Sequence, residues 1–507
     1  MLFRSEAFLP VPKPANGKKL NISSDLSVLS DAQILDANAN PDSFIQTEGT
    51  PYGIIAVKAP TAWGLSDAGS KSRVMILDTG IDANHPALNK NIEKTRNFVA
   101  GANGSINAAD TKDEVGHGTH VSGTVAGQYN DKSGFVGVAP KARILMGKVC
   151  SPKGCSTVDI SAGIDWAVQE KVDVLSMSLG SPGSTGNPIL DLLLEQQAKP
   201  MKAALAKAEA AGVFAVAASG NSSADATPAT PTEPAKPATN PKIGYPAKLD
   251  TVYAVGAVDS KLVKTSFSQF GPELDITAPG AEVLSSVPLQ SGRESQVFIN
   301  ISGQKVQIKS ASFGGTKEIS IPKSAEMIPS GLGKPGEFPA AVAGKFALIS
   351  RGEIAFSEKV KNAQAAKAIG VVFYNNADGL MQGTVGDPNN PNAPELDYAV
   401  VMIEKIEGEK IVEAFKKGQK TIADVSTIKT DYSKFDGTSM ACPHVAGVAA
   451  LTLSAYKIRN PGKTLKPAQL RALLSATASK LGPNPDNKYG AGIVQADKAV
   501  LQATKTK

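Results

Sequence analysis

The sequence predicts an α/β protein with a mainly parallel central sheet, interrupted by a second lobe of mixed α+β character. Three observations carry that prediction. Short apolar runs at Val74–Leu77, Val172–Leu175 and Val213–Ala218 read as buried strands of a parallel sheet. Between them lie helical stretches of the kind that parallel strands need as crossovers. From about residue 287 to 430 this rhythm stops and a separate strand–helix–strand pattern replaces it.

The chain has 507 residues, enough for two or three domains with ample core. Its 42% hydrophobic and 20% charged content is ordinary for a soluble globular protein. The net charge of +6 is modest and the lysines are scattered, which argues against nucleic acid as a partner. No apolar run approaches the roughly 20 residues of a membrane span, so no membrane partner is expected.

Taken in chain order, the first strand ends in Asp78, followed by Thr79 and Gly80. In open α/β sheets ligands bind outside the carboxyl ends of the strands, which places Asp78 at the functional edge. A lone Asp-Thr-Gly would otherwise be a turn cap. Two of the four histidines follow in Gly116-His117-Gly118-Thr119-His120, where small neighbours permit close backbone approach. The pair's spacing suits one helix face and a metal, but no Glu or third ligand accompanies it. Cys150 and Cys155 flank Ser-Pro-Lys-Gly, a turn able to bring them within bridging range.

The strand at Val172 continues to Ser178-Leu179-Gly180, and that at Val213 to Gly220-Asn221, where Asn after Gly would ordinarily be a turn residue. Two insertions are expected here: residues 181–200, and an exposed, mobile Ala/Thr/Pro-rich loop at Ser222–Lys242. Gly244-Tyr245-Pro246 precedes the next strand. In the second lobe Lys345–Gly352 reads as strand and turn, Ser357–Ile369 as helix and Gly370–Asn376 as strand, and the β-rich Gln296–Ile321 is assigned to the same lobe. Gly437-Thr438-Ser439-Met440-Ala441 then opens a long apolar helical stretch, which puts Ser439 near a helix N-terminus with outward-pointing N–H groups. Cys442 reads as a small buried apolar residue. Pro467–Ala478 reads as a surface helix.

A serine hydroxyl becomes a useful nucleophile only beside a base that a third group orients. Asp78-Thr79-Gly80, His117-Gly118-Thr119-His120 and Gly437–Ala441, in the order Asp, His, Ser, together resemble the three signatures of the subtilisin-like serine proteases, the subtilase family. The resemblance implies a three-layer subtilisin-like fold and a serine endopeptidase. In it Asp78 orients His117, His117 is the base, Ser439 is the nucleophile and His120 is structural. Asn221 is implied as the oxyanion donor, together with the Ser439 N–H. Ser178, Leu179 and Gly180 are implied to line the substrate pocket and to pair with substrate backbone. Gly220 flanks the same pocket and Gly244 forms its floor, so large apolar or aromatic side chains are expected at P1.

Catalysis of this kind requires no cofactor, and no residue is assigned to a metal. Calcium-binding members carry an aspartate where Ala87 stands after Asp82-Ala83-Asn84-His85-Pro86, which removes an oxygen ligand. The loop Asn130–Gly134 could offer oxygens, and structural calcium stays open. The domains are expected at 1–48, an N-terminal extension and propeptide remnant; 49–286, the first part of the catalytic domain; 287–430, an insert resembling a protease-associated (PA) domain; and 431–507, the second part. Ala32–Asn38 resembles the end of a propeptide and Pro51-Tyr52-Gly53-Ile54 a mature start. Partners are then protein or peptide substrates and the chain's own propeptide as inhibitor. No signal peptide is visible, yet secretion is expected, with an intracellular member of the family as the alternative. The competing class is a catalytically silent binding protein on the same fold. Such a protein is free to lose a triad residue, and none is lost here.

Overall fold

The structure is a computed structural model, and it describes residues 50–506 except 102–103, 129–134, 182, 184–186, 225–236, 302, 377–379, 381–382, 384 and 386–394. The expectations for the 1–48 extension, for Asn130–Gly134 and for the centre of 222–242 fall outside those residues. The chain divides into two compact units, one running to Leu289 and resuming at Asp436, the other formed by Gln290–Phe435.

In the first unit, two short helices, α1 (Tyr52–Ala56) and α2 (Ala59–Ser66), precede the central strands. These are β1 (Arg73–Asp78), β2 (Ile92–Asn97), β3 (Arg143–Lys148), β4 (Val174–Met177), β5 (Phe214–Ala218), β6 (Val252–Val258) and β7 (Ile276–Pro279). They form one sheet in the order β2-β3-β1-β4-β5-β6-β7, with every pairing parallel. Val74 to Asp78 are all buried, as expected of a strand covered on both faces.

Helices supply the two covers. Ile164 and Trp166 of α4 (Thr157–Glu170), with Met201 and Leu205 of α5 (Pro188–Ala210), join Met75, Leu77, Leu145 and Leu175 in one buried cluster. Val74, Ile76, Val174 and Val216, which alternate with those side chains along their strands, stay outside it. The long helix α8 (Thr438–Arg459) packs on β1 and β4 to β7, and everything from Thr438 to Tyr456 on it is buried. A helix without a polar stripe has to lie in the core. Helices on both faces of a parallel sheet make the expected layered α/β architecture. The helix α3 (His117–Ala126) also packs on α8, and α9 (Pro467–Thr477) and α10 (Ala496–Lys505) close this unit.

The second unit contains β8 (Gly292–Ile301), β9 (Gln304–Ile308), β10 (Ser310–Ser312), β11 (Ile319–Pro329), β12 (Phe346–Ser350), β13 (Gly370–Tyr374), β14 (Ala399–Ile403) and β15 (Thr421–Thr430). They form a mixed sheet in the order β9-β8-β15-β11-β12-β13-β14-β10. The helices α6 (Phe356–Ala365) and α7 (Lys405–Lys416) complete it, over two buried clusters built around Phe313 and Phe373 and around Val297 and Phe346. Strand–helix–strand is therefore present as β12-α6-β13. The helix stops at Ala365 rather than Ile369, because Lys367 takes a left-handed φ of 61°. The unit starts at Gln290 rather than 287 and ends at Phe435 rather than 430. Its two ends are fastened together there: Asp431 accepts from both the backbone N–H and the side-chain amide of Gln290, at 2.9 Å each.

Candidate active site

Two predicted residues, Asp78 and His117, come together at the carboxyl edge of the sheet. Asp78 ends β1 and is 1% exposed, and His117 begins α3 and is 5% exposed. His117 Nδ1 lies 2.7 Å from Asp78 Oδ1. An ionised carboxylate only accepts, so Nδ1 carries the proton and Nε2 is the accepting nitrogen. Burial disfavours the charged imidazole. The charge and hydrogen bond of Asp78 and the charge of Asp113 outweigh it, so His117 titrates above its ordinary value.

Ser439 is the second residue of α8 and is 4% exposed. Its Oγ donates to the Ser178 carbonyl at 3.1 Å, while Ser178 Oγ donates to the Ser439 carbonyl at 2.8 Å. The second bond has a cause in the sequence. In a helix the Ser439 carbonyl would accept from the N–H four residues on, but that residue is Pro443, which has none. The Ser178 hydroxyl supplies the missing donor.

Asn221, exposed after β5, accepts through Oδ1 from the Thr438 N–H and from Thr438 Oγ1, both at 2.8 Å. Because a backbone N–H can only donate, this fixes which end of the amide faces α8 and leaves the Nδ2 donor pointing elsewhere. Thr438 Oγ1 accepts in turn from the Gly220 N–H at 3.1 Å. Gly220 has φ +114°, and a Cβ there would lie 2.1 Å from Gln269 Oε1. Only glycine fits. At Gly437 (φ +155°) a Cβ would come within 3.3 Å of Asn221 Nδ2, crowding that donor.

A cavity of about 210 Å³ opens beside the ends of β4, lined by Leu179, Gly180, Tyr245, Pro246, Ile160 and Met201 among others. Leu179 and Gly180 thus line it, whereas Ser178, Gly220 and Gly244 do not. The side chain of Ser178 is buried against Ser439, so its contribution to any groove is limited to backbone. Ser181 N donates to Tyr245 O at 2.8 Å, which ties the 178–181 segment to the Gly244-Tyr245-Pro246 turn.

Cys150 and Cys155 are joined in a disulfide across a two-residue hairpin, and Cys155 lines the same cavity. Burial pushes the Cys442 thiol up to about 11, so it is no nucleophile near neutral pH. His120 Nε2 donates to Val283 O at 2.9 Å, a structural bond that holds α3. No group of three or more His, Cys, Asp or Glu placed to hold a metal occurs among the described residues, and no helix among them is long and apolar enough to cross a membrane. Two residues of consequence escaped sequence reasoning: Asp113, one of three acids in the 110–114 loop, and Thr438, which adjoins Ser439 and carries the bonds that orient Asn221.

Comparison with known proteins bears on the family and the fold. Residues 69–304 and 289–492 match the subtilase family. Subtilisin DY of Bacillus licheniformis is 40% identical over 240 residues, which cover 47% of this chain and 75% of that relative. Subtilisin NAT of Bacillus subtilis subsp. natto is 35% identical over 242 residues, 48% of this chain and 55% of the relative. The chain therefore spans only about half the length of some curated relatives. Among solved structures, the psychrophilic subtilisin-like protease Apa1 of the Antarctic psychrotroph Pseudoalteromonas sp. AS-11 aligns with a TM-score of 0.57 and 28% identity, over 90% of this chain and 99% of that one.

Proposed function

The chain belongs to the subtilase family of subtilisin-like serine peptidases, and on that premise we propose that it is an endopeptidase using Asp78, His117 and Ser439 as its triad. The observation that carries the reading is the buried 2.7 Å contact of His117 Nδ1 with Asp78 Oδ1, in a chain that also sets Ser439 on the first turn of a core helix. When substrate binds, the Ser439 hydroxyl leaves the Ser178 carbonyl and gives its proton to His117 Nε2 as Oγ attacks the peptide carbon. The tetrahedral oxyanion accepts from Asn221 Nδ2 and the Ser439 N–H, a first-turn donor. His117 then protonates the leaving amine, and water repeats the sequence on the acyl-enzyme.

Substrates are proteins or peptides with large apolar or aromatic residues at P1. The apolar lining around Leu179 supports this; a peptide library preferring Arg, Asp or Gly at P1 would count against it. The insert is read as a protease-associated domain that gates substrate or docks proteins, supported by its β12-α6-β13 unit and its compactness. Secretion is supported by the Cys150–Cys155 bridge, since disulfides persist in oxidising compartments. Catalysis takes no cofactor, and with Ala87 in place of a carboxylate little calcium dependence is expected at that site, so a large fall in melting temperature on chelation would count against this.

The test is hydrolysis of a chromogenic peptide with Phe at P1 by wild type and by Ser439→Ala. Turnover by wild type that falls about 10⁶-fold in the variant, the scale shown by subtilisin triads, supports the reading. Equal rates in both, or none in a correctly processed wild type, overturn it.

A further inference from the structure

We propose that Asp113 is a positioning residue for this reaction, holding the helix start that carries His117 in register with the strand end that carries Asp78. The proposal rests on the reading of His117 as general base. Asp113 is buried, and its carboxylate accepts five hydrogen bonds. Oδ1 takes the Thr79 hydroxyl at 2.8 Å, the Val115 N–H at 3.1 Å and the Gly116 N–H at 2.8 Å. Oδ2 takes the Thr119 N–H at 2.8 Å and the Thr119 hydroxyl at 2.6 Å.

These donors belong to two elements. Thr79 follows Asp78 directly on the β1 side, and Gly116 and Thr119 bracket His117 on α3. Thr79 Oγ1 closes the circuit by accepting from the Gly118 N–H at 2.9 Å. One carboxylate thus bridges the neighbours of both triad members and occupies the positive end of α3, where a negative charge is favoured. General-base catalysis depends on this geometry to fractions of an ångström, so a group that sets it acts on the rate without touching substrate.

The same carboxylate adds negative charge near the imidazole. The other ionisable groups on the elements around α3 are engaged elsewhere. Lys148 on β3 donates to Lys112 O at 2.6 Å and approaches Glu114 at 3.4 Å. The Asp82 carboxylate accepts from the N–H groups of Asn84 and Leu289. On α8, Cys442 meets Ser176 and His444 meets Met440 O. Asp78 and Asp113 are therefore the two carboxylates that bias His117.

The experiment compares pH profiles of kcat and kcat/KM for wild type, Asp113→Asn and Ser439→Ala on the chromogenic peptide. The expected result for Asp113→Asn is a kcat lower by about tenfold to a hundredfold with KM within about twofold, since only positioning is lost. The acidic limb of kcat/KM should also move to lower pH by about half a unit. A merely structural role would lower thermal stability and leave the limb in place, and that result overturns the proposal. Should Asp113→Asn not fold, Thr79→Val keeps the carboxylate but cuts its link to the Asp78 strand. A fall in kcat at constant KM then supports the proposal, and an unchanged kcat overturns it. Failure of the parent reading looks different, because wild type would then be no faster than Ser439→Ala.

Discussion

Ser178 and Ser439 are bonded to each other in both directions, hydroxyl to carbonyl each way, at 2.8 and 3.1 Å. The pairing exists because Pro443 withholds the helical N–H that the Ser439 carbonyl would otherwise accept. Ser178→Ala should leave that buried carbonyl without a donor and destabilise the protein by about 1–3 kcal/mol. Pro443→Ala restores an N–H at the right place. Denaturant melts of the two single variants and the double variant should give a coupling of about 0.5 kcal/mol or more, with the double variant more stable than additivity predicts. Strict additivity would mean that Ser178 does not stand in for the missing helix donor.

Asn221→Leu removes the Nδ2 donor proposed for the oxyanion while keeping similar bulk. Steady-state kinetics should show kcat lower by about 10²–10³-fold with KM little changed. Thr438→Val should reproduce part of this loss, since Asn221 Oδ1 would lose its bond to the Thr438 hydroxyl and keep the one to the backbone. Equal KM and kcat effects in Asn221→Leu would place the amide in ground-state binding instead.

Stability should fall in mild acid through His444. Burial holds this imidazole down to about 4, against an ordinary value of 6.5, and Nδ1 is bonded to Met440 O at 2.8 Å. Folding therefore favours its neutral form. The stabilisation is complete above pH 6.5 and is lost as pH falls toward 4, with a slope of up to about 1.4 kcal/mol per pH unit. His117 works in the opposite sense, because its raised pKa gives stability that is present at low pH and lost as pH climbs past its folded pKa. Urea titrations of Ser439→Ala across pH 4–7, with and without His444→Gln, isolate the first contribution. A slope unchanged by His444→Gln would rule it out.

The Cys150–Cys155 bridge closes a small loop on the wall of the cavity beside Leu179. Chain-entropy arguments allow such a loop about 2 kcal/mol. A mild reductant should lower the melting temperature by several degrees and raise KM for peptides with apolar residues before the scissile bond more than it lowers kcat. Unchanged KM after complete reduction would show that the hairpin does not shape the substrate groove.

The pairing of Asp78 with His117 was within reach of residue order, because each sits in a short segment whose small residues permit close backbone approach. The parallel sheet was legible for a similar reason: strands covered on both faces leave unbroken apolar runs such as Val74–Leu77. Asp113 was not legible, since its importance lies in donors from Thr79 and Thr119, and nothing periodic marks a loop aspartate. Ser178 was expected along a substrate pocket, but its side chain turns inward to a vacancy that Pro443 creates far away in the chain.

The chain departs from the catalytic fold at Leu289 and returns at Asp436, three positions before Ser439. During synthesis on the ribosome, Asp78, His117 and all seven parallel strands are therefore made before Ser439. The strands must also wait, with one face uncovered, until α8 has emerged behind an entire second unit. A nascent chain cannot cut its neighbours before the insert is complete, and its slowest contacts to form should be those between α8 and β1.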